Sequence, residues 1–250
     1  MGAPGFDDAP MTCLAPSGSF TPITFCYPYY ENAGFLREQV HVWNNYPDEL
    51  RRHLSVNIVD DGSPDHPAAD VLRDMRLRFT VRLFRIGVDV RWNWLAARNI
   101  AVNYAHDWCL LTDMDHVVPQ ETLRAIICSR LSSNVIYRFS RREHTGEVIH
   151  PHPNSMLMRH ATFWRVGGYD EALSGHYGTD GDWRRRCAAT APVFTLPCHL
   201  LRYEYQGDSS TTHYLRKQPE DAGKKAIIAK RGPGWRPKVL SFPYEEIIIA

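Results

Sequence analysis

The chain has 250 residues, 44% of them hydrophobic, and 29 Lys and Arg stand against 28 Asp and Glu for a net charge of +1. That balance gives no global case for nucleic acid or a membrane surface, and no apolar run approaches the roughly 20 residues that span a bilayer. The first residues lack the basic-then-apolar order of a secretion signal, so the expectation is a soluble, cytoplasmic domain with one large core and six buried, reduced cysteines.

Residues 1–19 are rich in Pro, Gly, Ser and Asp and read as a flexible arm. A strand is predicted over Ile23–Tyr27, a helix from near Asn32, a strand over Leu54–Val59 and the polar turn DDGSPDHP. A helix over Ala68–Arg76, a strand over Thr80–Phe84, a helix over Trp94–Ala105 and the strand Trp108–Leu111 follow. Strands alternating with helices predict an α/β fold, Rossmann-like, with a mostly parallel central sheet flanked by helices. The second half is less regular: a strand over Val135–Phe139, an apolar segment Ser155–Met158 and a helix over Asp180–Ala189. The expected division is one domain over 20–215, with halves at 20–118 and 119–215, and a basic C-terminal extension or lid over 216–250.

In such sheets ligands sit beyond the carboxyl ends of the strands, where helix N-termini point their free N–H groups. Three strand ends carry distinctive residues: Tyr27-Pro28-Tyr29-Tyr30-Glu31-Asn32, Asp60-Asp61-Gly62-Ser63 and Asp113-Met114-Asp115. Asp113 and Asp115 project to one side of a strand and can reach a divalent cation of the hard, oxygen-seeking kind, Mn²⁺ or Mg²⁺; the alternative is a polar loop with a helix cap. Asp60 or Asp61 can orient a base or ribose, or form an ordinary turn that caps the next helix. In GGYDEALSGHYGTDGDWRRRC, glycines let a backbone approach a ligand, and Asp180 is either a helix cap or a general base for an acceptor hydroxyl.

Taken together, YPYYEN, VDDGSPD, LAARNIAV, LLTDMDHVVP and GGYDEALSGHYGTDGDWRRR resemble the family-2 glycosyltransferases of the GT-A fold, from about Ile23 to Arg186. The resemblance implies an inverting transfer of a sugar from a nucleotide diphosphate, foremost a UDP-sugar, to an acceptor hydroxyl. It assigns Tyr27, Tyr29, Glu31, Asp60, Asp61, Arg98, Asn99 and Asp113 to the donor, Asp113 and Asp115 to the metal, and Asp180 to the base. Gly178, Asp182 and Trp183 fall on the acceptor side. The family often has Glu-Asp where this chain has Thr179-Asp180. A downstream histidine is often a third metal ligand; His213 is the candidate, with His116 and His176 as competitors. The chemistry agrees, since the reaction needs a cation for the leaving diphosphate and a base for the incoming hydroxyl.

Two other classes fit the carboxylate-bearing strand ends. A nucleotidyltransferase relies on a Gly-rich basic loop after the first strand, where this chain has YPYYENAG; a non-catalytic nucleotide-sugar-binding module would keep the fold without turnover. The acceptor stays open between a saccharide, lipid-linked or not, a small molecule and a hydroxylated DNA base. The basic stretch from Arg216 to Lys238 either holds an anionic acceptor or forms a solvated lid.

Overall fold

The computed structural model describes residues 22–203 and 222–249. Strand β1 (Ile23–Tyr29) leads through α1 (Ala33–Asn44) and the short α2 (Asp48–Arg51) to β2 (Leu54–Asp60). Then come α3 (Ala68–Arg73), β3 (Thr80–Ile86), α4 (Trp94–Asn103) and β4 (Trp108–Leu111). All four strands are parallel and ordered β3-β2-β1-β4. Beyond β4 the sheet becomes mixed. The two-residue β5 (His116–Val117), α5 (Gln120–Cys128), β6 (Ile136–Glu143), β7 (Val148–Ile149) and β8 (Met156–Arg159) are followed by α6 (His160–Val166), α7 (Asp180–Thr190) and β9 (Val193–Arg202). The sheet continues β4-β8-β6-β9-β5, with β8 antiparallel to both neighbours and β6 parallel to β9.

Period-two alternation of the central strands builds two cores. Phe25, Tyr27, Val56 and Ile58 face Leu36, Val40 and Trp43 of α1 on one side. Cys26, Val59, Cys109 and Leu111 face Ile100 and Ala101 of α4 on the other. Helix α1 starts where Asn32 Oδ1 accepts the Phe35 N–H at 3.2 Å. Helix α4 is buried from Leu95 to Val102, as expected for a helix apolar nearly all round. Arg98 and Asn99 are its exceptions and therefore need internal partners.

The C-terminal segment does not stand apart as an extension. Helix α8 (Ala222–Ala229) is followed by β10 (Tyr244–Ile247), which pairs antiparallel with β3 and closes the sheet edge. Residues 216–221 and the candidate ligand His213 lie outside the described residues. Cys26, Cys109 and Cys187 are free and buried and Cys198 is free and half-buried, whereas Cys128 is disulfide-bonded, against the expectation of reduced thiols throughout. No helix of the described residues is long and apolar enough to cross a membrane.

Candidate active site at the carboxyl ends of the strands

The rim at the ends of β1, β2 and β4 carries many acids, and they divide by what holds them. Asp60 is 1% exposed; its Oδ1 accepts the Ser63 N–H and its Oδ2 the Ala68 N–H, both at 2.8 Å. It shapes the DDGSPD loop and caps α3. Glu31, in the left-handed backbone region at φ 52°, accepts the N–H groups of Asp65 and His66 and braces the same loop. Gly62 turns the loop at φ +77°, and a Cβ there would meet the Val88 carbonyl at 2.7 Å. Asp61 differs. It is buried, yet its Oδ1 has no hydrogen-bond partner. Burial pushes its carboxyl well above the ordinary carboxylate range, as do the neighbouring Asp60 and Asp89, against the opposing pull of Asn93.

At the end of β4, Asp113 and Asp115 are each about one-third exposed, at 32% and 37%. Arg98, fully buried, donates its Nη2 to Asp113 Oδ1 and its Nη1 to the Asn154 carbonyl and the Tyr169 hydroxyl. His152 Nε2 lies 3.2 Å from Asp113 Oδ2. His116 Nδ1 lies 2.6 Å from Asp115 Oδ1. Burial pushes the Asp115 carboxyl up, but the His116 hydrogen bond, with further pull from His116, His152 and Arg202, outweighs it and holds it down at about 2. Burial likewise lowers the His152 imidazole to about 4 despite Asp113. Gln39 of α1 clamps the turn from below, donating its amide to the Met114 and His116 carbonyls at 2.8 Å each.

Asp180 opens α7 and is half-buried; no hydrogen bond among the described residues engages its carboxylate. The glycine-rich loop before it is tied to the segment that leads from β3 into α4. Ser174 Oγ donates to Asn93 Oδ1 at 2.5 Å, and the Tyr177 ring packs 5.2 Å from Trp92. Lys224 of α8 donates to the Tyr177 and Gly178 carbonyls at 2.7 and 3.0 Å. Gly178, Thr179, Gly181 and Lys224 line an open cavity of about 340 Å³.

Several expected contacts are corrected by burial. Tyr27 is in the core, its hydroxyl donating to Gln39 Oε1 and the His116 carbonyl. Tyr29 is 1% exposed and donates to the His66 carbonyl at 2.6 Å. Neither presents a surface to a donor. Asn99 spends its amide on the Tyr169 carbonyl and Glu171 and its Oδ1 on the Tyr169 N–H, each at 2.8 Å, so it anchors the GGYDE loop. Gly168 passes this amide so closely that a Cβ would lie 3.0 Å from its Oδ1. Trp183, expected toward the acceptor, is 1% exposed and stacks on Tyr169 at 4.3 Å. Asp182 is the centre of an ion-pair knot with Arg231 at 2.5 Å and Arg186 at 3.0 Å. Burial raises its carboxyl, but Arg231 and Arg186 more than offset that and hold it below the usual range. His116 has both ring nitrogens engaged, since its Nε2 also lies 3.2 Å from Arg141 Nη1.

Sequence reasoning missed His152, Arg141 and Gln39. Arg141 and His152 come from the irregular second half; Gln39 was hidden on the buried face of an amphipathic helix.

Asp113 and Asp115 suit a hard divalent cation in their donor chemistry, because both are carboxylates and part of each faces solvent. Among the described residues no three His, Cys, Asp or Glu side chains converge as a metal cluster.

A parallel β3-β2-β1-β4 sheet, carboxylates at the ends of β2 and β4 and a mixed second half make this the GT-A glycosyltransferase fold. S. aureus TarS 1–349 is similar, with a TM-score of 0.58 and 17% identity over 73% of this chain and 60% of that one. The same protein in complex with UDP-GlcNAc matches with a TM-score of 0.61 and 15% identity over 78% of this chain and 62% of that one. The mannosyltransferase PcManGT from Pyrobaculum calidifontis, in complex with GDP-Man and Mn²⁺, matches with a TM-score of 0.56 and 17% identity, over 77% and 60%. The chain thus spans about three-fifths of the length of these structures. No family model matches the sequence, and no curated protein matches it.

Proposed function

We propose that the chain is a divalent-cation-dependent, inverting glycosyltransferase that moves a sugar from a nucleotide diphosphate, foremost a UDP-sugar, to an acceptor hydroxyl. The observation that carries this reading is the division of the acids. Asp60, Glu31 and Asp182 are saturated by backbone N–H groups or arginines, whereas Asp61 Oδ1 is buried without a partner, and Asp113 and Asp115, though held by Arg98, His152 and His116, remain part-exposed at the strand ends. A buried acid oxygen left unsatisfied costs stability, and a ligand that supplies a donor to Asp61 accounts for that cost.

In this reading Asp61 accepts an N–H of the base or a ribose hydroxyl from the floor of the donor cleft. Asp113 and Asp115 would hold Mn²⁺ or Mg²⁺, which would neutralise charge on the leaving diphosphate. Arg98 fixes the Asp113 carboxylate. Asp180 takes the proton of the acceptor hydroxyl, whose oxygen attacks the anomeric carbon as the bond to the diphosphate oxygen breaks, inverting that centre. The open cavity beside Thr179 and Gly181 receives the acceptor, a hydroxyl-bearing saccharide or small molecule. TarS with UDP-GlcNAc and PcManGT with GDP-Man and Mn²⁺ support a nucleotide-sugar donor and a divalent metal.

Replacing Asp180 by Asn tests the base. Transfer is expected to fall about 10²–10⁴-fold while UDP-sugar binding in the presence of Mn²⁺ stays as in the wild type. Unchanged turnover in Asp180→Asn removes this residue from the mechanism.

A further inference from the structure

Each carboxylate of the Asp113-Met114-Asp115 turn has an imidazole of its own, and the two imidazoles lie against each other with ring centroids 4.2 Å apart. For His116 the partners settle where the ring proton sits. Arg141 Nη1 faces its Nε2 at 3.2 Å, and a guanidinium only donates, so Nε2 must accept. With Nε2 accepting, the one ring proton is on Nδ1, which faces Asp115 Oδ1 at 2.6 Å. The ring is 1% exposed, and its own carbonyl is gripped by Gln39, so it has no second arrangement close at hand.

Arg141 reaches this position through a break in strand pairing. Between Phe139 and Ser140 the β6–β9 register jumps, so that Phe139 pairs with Leu196 and Ser140 with His199. Pro197 and Cys198 are left in a bulge, a device that bends a strand and re-aims its side chains. Two residues beyond it, Arg141 anchors its Nε on the His150 carbonyl at 2.9 Å and turns Nη1 to His116.

From this geometry we infer that His116, held as the Nδ1–H tautomer by Arg141, is a positioning residue that fixes Asp115 through Oδ1 and leaves Oδ2 directed to the cation of the donor diphosphate. The inference rests on the metal reading above. It makes His116 a hydrogen-bond donor to the ligand carboxylate and excludes it as a ligand itself. A polar group placed behind a metal ligand typically changes metal affinity 10–100-fold when lost, and an Arg141–His116–Asp115 chain spreads that role over two strands and the turn.

The test uses Mn²⁺ alone as the probe, titrated into the full-length protein and followed by the electron paramagnetic resonance signal of the free ion, with melting curves to confirm folding. His116→Asn, whose amide N–H replaces Nδ1–H, is expected to keep affinity within about threefold. His116→Gln, whose amide falls at the Nε2 position, and Arg141→Met, which frees the ring to exchange tautomers, are each expected to weaken Mn²⁺ by about 10-fold or more. The ring-nitrogen NMR shifts of the metal-free wild type should show His116 protonated at Nδ1, and Arg141→Met should lose that preference. Equal Mn²⁺ affinity in the wild type, His116→Gln and Arg141→Met overturns the inference and leaves the metal reading intact. A wild type that binds no Mn²⁺, with or without UDP, overturns the metal reading and the inference with it.

Discussion

Burial holds the Asp61 carboxyl well above its ordinary range, and linkage turns that into a prediction about stability. With the folded value raised, the unfolded chain releases its proton near pH 4 while the folded chain still keeps it, so stability falls as pH rises through that window. Asp61→Asn removes the ionisation and keeps the shape. It is expected to raise the melting temperature at pH 7 by about 2–4 °C, the equivalent of about 1 kcal/mol in a chain of this size, and to lose most of the gain below pH 4. The same variant should weaken UDP-sugar binding. A melting temperature that drops at neutral pH would mean that the carboxylate is satisfied in the unliganded protein. Residue identity alone did not separate such acids from their neighbours: Asp60 and Asp61 are adjacent in sequence, yet Asp60 is a loop cap and Asp61 keeps one buried oxygen without a partner, because the Ser63 and Ala68 N–H groups point to Asp60. Tyr27, Tyr29, Asn99 and Trp183 are buried with partners inside the protein, and motif spacing does not say which way a side chain points.

Among the elements, the strand–helix alternation of the first half was plain in the sequence, because buried parallel strands are continuous apolar runs bounded by polar turns. Strand β4 begins and ends at Trp108 and Leu111 as expected, and α7 begins at Asp180. The second half was less legible. Strand β9 carries Pro197 within it and alternates poorly, and β10 is separated from its partner β3 by more than 150 residues, so neither leaves a local signal. What secures that half is a polar stitch between α7, the GGYDE loop and the C-terminal segment. Arg231, 13% exposed, pairs with Asp170 at 2.6 Å and Asp182 at 2.5 Å, and its guanidinium stacks 3.8 Å from the Trp235 ring. Glu171 accepts the Leu240 and Ser241 N–H groups at 2.7 Å each. Removing one partner of a buried ion pair leaves the other uncompensated. Arg231→Met is accordingly expected to cost about 3–5 kcal/mol, read as a lower urea midpoint with an unchanged slope. A loss below about 1 kcal/mol would place this knot among surface pairs.

For the molecule as a whole, the near-neutral charge gave no case for a globally basic nucleic-acid binder, and the three strand-end motifs fall on adjacent strands at the rim proposed as the donor cleft. They did not reveal how the cleft is held: by Gln39 from α1, Arg98 from α4, Arg141 from β6 and His152 from the loop before β8, four segments that meet only in three dimensions. The basic C-terminal stretch, read as a lid, contributes through its described part a sheet strand and a brace for the glycine-rich loop through Lys224. The central claim is a nucleotide-sugar cleft that uses a divalent cation, and thermal stabilisation by a panel of nucleotide sugars, with Mn²⁺ and with EDTA, tests it most directly. At a ligand concentration 100 times the dissociation constant, linkage adds about 2.7 kcal/mol. A UDP-sugar with Mn²⁺ should therefore raise the melting temperature by about 5–10 °C, and EDTA should remove most of the rise. No shift with any nucleotide sugar, with or without metal, would contradict the account.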